Sequence, residues 1–143
     1  MYTINDLQLM SEIASETRIL QKDGLVFYVS NYGEIIPLIK LAGESGYRID
    51  VLCNSLDISP RHFRRLFVSS LGICPKKWLK SERMVFARNL LRSGIPIKKV
   101  SEKLGFSAQK EFYREFKDYY NTSPSDFRTQ ETERVMERLG WAV

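Results

Sequence analysis

Arg61, Arg64 and Arg65 fall within residues 60–70, where helical spacing turns them away from Phe63, Leu66 and Phe67. The planar fork of arginine meets guanine O6 and N7 together, and it also reaches phosphate oxygens. No carboxylate interrupts residues 60–70, and His62 sits at the margin of the basic face. A second set lies about 49 residues further on, where Gln109, Lys110, Tyr113, Arg114 and Lys117 oppose Phe112, Phe116 and either Tyr119 or Tyr120. Gln109 has the amide geometry that suits adenine, Lys110 and Lys117 suit phosphate or guanine, and Arg114 takes the place of Arg65. Two chemically unlike faces predict an asymmetric duplex site rather than a palindrome. The competing reading makes Arg65 and Arg114 structural, paired with nearby carboxylates such as Asp118.

Other chemistry finds few residues to carry it. Cys53 lies on the apolar side of a helical pattern and Cys74 precedes a proline at a helix start, so both read as reduced thiols rather than as nucleophiles. Two cysteines and the single histidine His62 make neither a disulfide framework nor a zinc site of ordinary spacing. No glycine-rich phosphate loop opens a helix. The expectation is a protein that is not an enzyme and uses no cofactor or metal.

The elements that must position these faces repeat. Ile49, Leu52, Leu56, Ile58 and Ser59 recur 48 positions later as Ile97, Val100, Leu104, Phe106 and Ser107. Phe63, Arg65, Phe67, Pro75 and Trp78 recur 49 positions later as Phe112, Arg114, Phe116, Pro124 and Phe127, so the second copy gains one residue just after its serine. Each copy reads as a short helix, a tight turn at Asp57 or Gly105, a serine cap and a second helix. Such a pair describes a helix-turn-helix, whose second helix enters the major groove. Between the copies, residues 75–92 predict one helix of about 27 Å at 1.5 Å per residue. With its flanks this approaches one DNA turn of roughly 34–36 Å, which suits two reading helices in successive major-groove segments. Lys76, Lys77, Lys80 and Arg83 at the start of that helix are available to backbone phosphates.

Outside the repeat the pattern is weaker. Residues 5–20 carry Leu7, Met10, Ile13 and Ala14 at helical spacing, with Lys22, Asp23 and Gly24 as a stop. Residues 25–29 (LVFYV) read as a strand or a buried extended segment that straps the first copy, and a helical reading resumes at Ile35. Pro124 starts one more short helix, followed by a mostly polar helical tail from Thr129 to Leu139.

Charge separates along the same boundaries. The chain has 143 residues and a net charge of +5, but residues 47–128 hold 17 Lys and Arg against 8 Asp and Glu, giving +9. Residues 1–46 and 129–143 carry −3 and −1. Positive charge confined to the repeat favours a polyanionic partner. No run of apolar residues reaches the length of a membrane span and no secretory signal is visible, so a cytoplasmic, nucleoid-associated location without a membrane partner is expected.

The residues Leu52, Cys53, Ile58, Ser59, Pro60, Arg61, His62, Phe63, Arg65, Leu66, Phe67, Leu71 and Gly72 resemble the first half of the DNA-binding domain of the AraC/XylS bacterial transcription regulators. Leu104, Gly105, Phe106, Ser107, Gln109, Phe112, Arg114, Phe116, Lys117, Ser123, Pro124, Phe127 and Arg128 are similar to its second half. The resemblance implies an all-α fold with two helix-turn-helix subdomains (about 49–72 and 97–121) joined by a linker helix (about 75–92). These lie within a domain at 36–128, between an N-terminal extension at 1–35 and a tail at 129–143. It implies base contacts from Arg61, Arg64, Arg65, Gln109, Lys110, Tyr113 and Arg114, with phosphate contacts from Ser59, Lys76, Lys77, Lys80, Ser107 and Lys117. Cys53 and Ser101 stand where the family usually has alanine, and Asp57 where glycine is common. Residues 1–35 are too short for the sensory domain that many members carry, so the chain resembles the stand-alone members or a fragment.

The expected partners are double-stranded promoter DNA and RNA polymerase, with the chain acting as an activator and binding as a monomer rather than a dimer. No small-molecule effector is expected within the chain. The alternative of another class is a protein-interaction module in which the extension and the tail dock a partner and DNA is secondary.

Overall fold

The computed structural model describes residues 16–141. Among them are seven helices and one three-stranded sheet, and the backbone divides into two compact units, Met1–Leu79 and Lys80–Val143. The all-α expectation is therefore corrected: the chain is mostly helical, with a small antiparallel sheet in its first unit.

The sheet begins with β1 (Arg18–Lys22) and β2 (Leu25–Val29), paired antiparallel with Lys22 opposite Leu25. Asp23 and Gly24 have φ of 54° and 78°, the two positive values that a two-residue hairpin of matching twist demands. Arg18, Ile19 and Leu20 are thus strand, not the end of a helix; the Asp-Gly pair outweighs the helical spacing before it. The proposed helix at residues 5–15 lies outside the described residues. Strand β3 (Ile35–Pro37) pairs with β2, placing Tyr28 opposite Ile36. Ile35 therefore does not open a helix, because its backbone hydrogen bonds go to the sheet. Helix α1 (Leu38–Glu44) starts only after Pro37.

Ile19, Val26 and Tyr28 are buried in one cluster with Leu38 and Ala42 of α1, Leu52 and Cys53 of α2 (Ile49–Ser55), and Phe63 and Phe67 of α3 (Pro60–Leu71). Trp78 and Leu79, from the first turns of α4 (Pro75–Arg92), complete it. The sheet thus contributes part of the core on which α3 rests. Deleting residues 1–30 is expected to lower the melting temperature, since aromatic and aliphatic side chains of α2 and α3 lose their cover. An unchanged melt with an altered sedimentation coefficient would mark the segment as a dimerisation arm instead.

The second unit holds the rest of α4, then α5 (Ile97–Lys103), α6 (Gln109–Tyr120) and α7 (Pro124–Arg138). Its rings repeat the packing of the first. The Phe63–Phe67 and Phe67–Trp78 contacts, at 5.6 and 5.4 Å between centroids, recur as Phe112–Phe116 and Phe116–Phe127, both at 5.7 Å. Helix α7 runs unbroken through Thr129, so the short helix and the tail are one element; Ser123 caps it by accepting from the Asp126 N–H at 3.1 Å. Val135 on α7 is exposed, as are Leu139 and Trp141 just beyond its end.

Candidate nucleic-acid interface

Both turns end their first helix in the same way. In α2 the Asp57 N–H reaches Asn54 O at 3.2 Å and the Ile58 N–H reaches Cys53 O at 3.1 Å. After α5 the Gly105 N–H reaches Glu102 O at 3.0 Å and the Phe106 N–H reaches Ser101 O at 3.1 Å. This bonding pattern needs a left-handed residue, which Asp57 provides at φ 52° and Gly105 at 77°. Aspartate tolerates that conformation better than most non-glycine residues, so the departure at Asp57 leaves the turn intact.

The following helices start differently. Ser59 caps α3, its Oγ accepting from the His62 N–H at 3.1 Å, with Pro60 in the first helical position. In the second unit the cap position belongs to Ala108, which offers no side-chain acceptor, and Ser107 Oγ instead donates to Glu111 Oε2 at 3.1 Å. The expectation of Ser107 as cap is corrected: the additional residue moves the serine one place outside the helix. Ser59→Ala is accordingly expected to cost about 1 kcal/mol in urea unfolding. Ser107→Ala should stay within about 0.5 kcal/mol of the parent.

Helix α3 buries Phe63 and Phe67 and leaves Arg61, Arg64 and Arg65 exposed. Helix α6 buries Phe112 and Phe116 and exposes Gln109, Lys110, Arg114 and Lys117. Tyr113 is half-buried, edge-on to Phe112 at 6.3 Å, so it presents less surface than its neighbours. Tyr120 rather than Tyr119 turns inward, 4.8 Å from the Phe116 ring, while the Tyr119 hydroxyl shares a hydrogen bond with Ser81 at 2.9 Å. Gly72 and Asn121, at φ 73° and 59°, close the two helices.

The cations on these faces stand outside close ion pairs, although Glu111 and Asp118 are exposed on α6 as well. Arg61, Arg64, Arg65, Lys110, Arg114 and Lys117 form no ion pair with a described carboxylate, and neither do Lys76, Lys77 and Lys80 on α4. The pairing of Arg114 with Asp118 is thereby corrected. Ion pairs occur elsewhere, as in Lys40–Glu44 at 4.0 Å and Lys99–Glu102 at 3.5 Å. Arg61 and Arg64 line one cleft with Cys74, Pro75 and Lys76, which brings part of the α3 face beside the start of α4. On α3 and the start of α4, where Arg61, Arg64, Arg65, Lys76, Lys77 and Lys80 meet no carboxylate of their own helix turns, the surface attracts anions.

Arg83 does not belong to this set. Its Nε donates to Leu104 O at 2.9 Å, its guanidinium lies 3.4 Å from the Phe106 ring centroid, and Glu115 is 3.9 Å away. It ties α4 to the turn of the second unit, so the phosphate role suggested by its place on the helix is corrected. Arg128 acts similarly, its Nε donating to Leu91 O at 3.1 Å and its Nη2 to Ile95 O, around the end of α4. Neither role was visible in spacing, because both depend on backbone carbonyls distant in sequence.

Burial pushes the Cys53 thiol up to about 11, with the nearby Asp50 carboxylate adding to the shift. A thiol held protonated at neutral pH is a poor nucleophile. Among the described residues no group of three or more His, Cys, Asp and Glu side chains is placed to hold a metal ion, and no helix is long and apolar enough to cross a membrane.

The family described as a helix-turn-helix domain matches residues 52–130. The chain is 30% identical over 94 residues to a probable transcription factor, PqrA, of Proteus vulgaris, covering 65% of this chain and 77% of that one. It is 33% identical over 93 residues to the arabinose operon regulatory protein of Escherichia coli K12, covering 64% of this chain but only 32% of the relative. Among solved structures, the C-terminal domain of the response regulator yesN from Fusobacterium nucleatum aligns with a TM-score of 0.56 at 29% identity, covering 64% of this chain and 94% of that domain. The DNA-binding domain of the transcriptional factor AdpA, solved with a target DNA, aligns with a TM-score of 0.59 at 25% identity, covering 68% and 91%.

Proposed function

The chain belongs to the AraC/XylS family of helix-turn-helix, DNA-binding transcription regulators, and from that premise we propose that it reads an asymmetric promoter site with α3 and α6 as its two recognition helices. Each helix-turn-helix places its second helix in the major groove, in successive segments of one duplex. Arg61, Arg64 and Arg65 read guanine-rich positions in one segment. Gln109, Lys110, Tyr113 and Arg114 read a mixed sequence in the other. Ser59, Lys76, Lys77, Lys80, Ser107 and Lys117 hold the backbone.

The observation that carries this reading is the pairing, in each unit, of a helix anchored by two buried phenylalanines with an outer face of cations that lack carboxylate partners. The 18-residue length of α4, about 27 Å, supports the spacing. The chain acts as a monomer on DNA and contacts RNA polymerase in activation.

Selection of binding sites from random duplexes, repeated at two salt concentrations, tests the proposal. Two unlike motifs separated by about one helical turn are expected. With phosphates neutralised by about four lysines, log affinity should fall against log salt with a slope near −4. A palindromic motif, or no enrichment at all, would overturn it.

A further inference from the structure

A second cleft, of about 420 Å³, opens in the first unit between the β2–β3 turn and the turn joining α2 to α3. Its size falls within the range of small-molecule sites. Tyr28, Tyr32, Glu34, Asp57, Ser59 and His62 are among its lining residues. Tyr28 is only 3% exposed, yet its hydroxyl makes no hydrogen bond to a described residue. The hydroxyl is not among the fully enclosed polar atoms that lack a partner, so it opens onto the cleft, where a ligand can bond to it.

Charge decides what kind of ligand. Glu34 and Asp57 are both acidic side chains, and neither forms an ion pair with a described residue. The start of α3 opposes them with only about half a positive charge, partly spent in the Ser59 cap. The balance favours a cation. Tyr28 and Tyr32 add aromatic surface, which attracts cations further, and the described residues include no metal-binding group here. Burial raises the Tyr28 pKa first, and the Asp57 carboxylate second, so the phenol stays protonated at neutral pH and its oxygen can accept from an ammonium or guanidinium N–H.

We propose that this cleft is a binding site for a small organic cation bearing an ammonium or guanidinium group, held by the Asp57 and Glu34 carboxylates and the Tyr28 hydroxyl. This proposal departs from the expectation that no small-molecule effector binds within the chain. The ligand would touch Asp57, the left-handed residue of the turn, and Ser59, the cap of α3. Occupancy offsets two negative charges beside a helix whose task is to approach phosphates. That link to DNA affinity rests on the function proposed above, whereas the site itself does not.

The site is tested on the whole chain without DNA, by thermal melting with 1,4-diaminobutane and with methylguanidine. Sodium chloride of equal ionic strength and inorganic phosphate serve as controls. A saturable rise in melting temperature with either cation, absent from both controls, is expected. Asp57→Asn keeps a side chain that accepts positive φ, Glu34→Gln changes an exposed loop residue and Tyr28→Phe keeps the buried ring. Each should raise the half-saturating concentration, by about tenfold where a charge-assisted hydrogen bond is lost. Should Asp57→Asn fail to fold, Glu34→Gln and Tyr28→Phe decide. No saturable shift in the parent, an equal shift with phosphate, or unchanged half-saturation in the folded variants would overturn the site. With the selected duplex, the diamine's effect on DNA itself is common to parent and Asp57→Asn. A gain in affinity confined to the parent supports the link, and equal responses refute the link while leaving the site standing.

Discussion

Arg61→Ala, and separately Arg64→Ala, is expected to weaken binding to the selected duplex by about 1–3 kcal/mol, or roughly 5- to 150-fold, with relaxed base preference in one half of the site only. Both side chains are exposed, form no ion pair with a described carboxylate and leave the Phe63–Phe67 anchor untouched. Their loss should therefore not move the melting temperature beyond the scatter of surface substitutions. Lys76, in the same cleft, provides the internal contrast. Lys76→Ala should weaken all duplexes alike and reduce the salt slope by about one. If neither arginine variant loses affinity or selectivity, α3 does not read bases and the interaction-module alternative takes its place. The measurement is a pair of competition titrations, one against the selected site and one against a shuffled duplex.

Arg83→Ala should act on stability. It removes a charged donor from the Leu104 carbonyl and a cation from the Phe106 ring, and it strands Glu115, whose side chain is 25% exposed. A hydrogen bond from a charged group contributes about 1.5–3 kcal/mol and a cation–π contact about 0.5–2 kcal/mol. Because the two share one side chain they do not add fully, and a loss of about 2–4 kcal/mol in urea unfolding is expected. The 3.9 Å approach to Glu115 adds little. Arg83→Lys should recover only part of the loss, since an ammonium lacks the planar fork that serves a carbonyl and a ring at once. A stable variant with weakened DNA binding and a shallower salt slope would restore the phosphate role that the residue's position on α4 first suggests.

The helical elements of the repeat were legible because two independent patterns coincide there. Phe63 and Phe67 fall on one helical face, and their counterparts Phe112 and Phe116 do so again at a fixed offset. The structure holds the two pairs at nearly the same separation, 5.6 and 5.7 Å, tilted by 41° in one and edge-on at 73° in the other. The sheet was less legible because each strand is only three to five residues long, too short for a two-residue period to stand out from a helical one. Asp23-Gly24 is the signal that separates them, but the same pair serves as a helix stop as well as a hairpin turn. At the interface, exposure of the arginines followed from periodicity alone. The cap at Ala108 and the roles of Arg83 and Arg128 did not, since spacing carries no information about which backbone groups lie near a side chain in space.

The two-residue turn between β1 and β2 also makes the first unit sensitive at a place that contributes none of its reading residues. It matches Lys22 to Leu25 and, four steps away, Arg18 to Val29, so Ile19, Val26 and Tyr28 reach the core only in that alignment. A strand moved by one position presents its opposite side. One amino acid inserted at Asp23-Gly24 would offer the alternating side chains of β1, Leu20 among them, to a space shaped for Ile19. The hairpin works like a vernier, in which the smallest possible error in length becomes a complete inversion of what faces inward. Length tolerance in this protein is thus set by the parity of the connection as well as by its exposure.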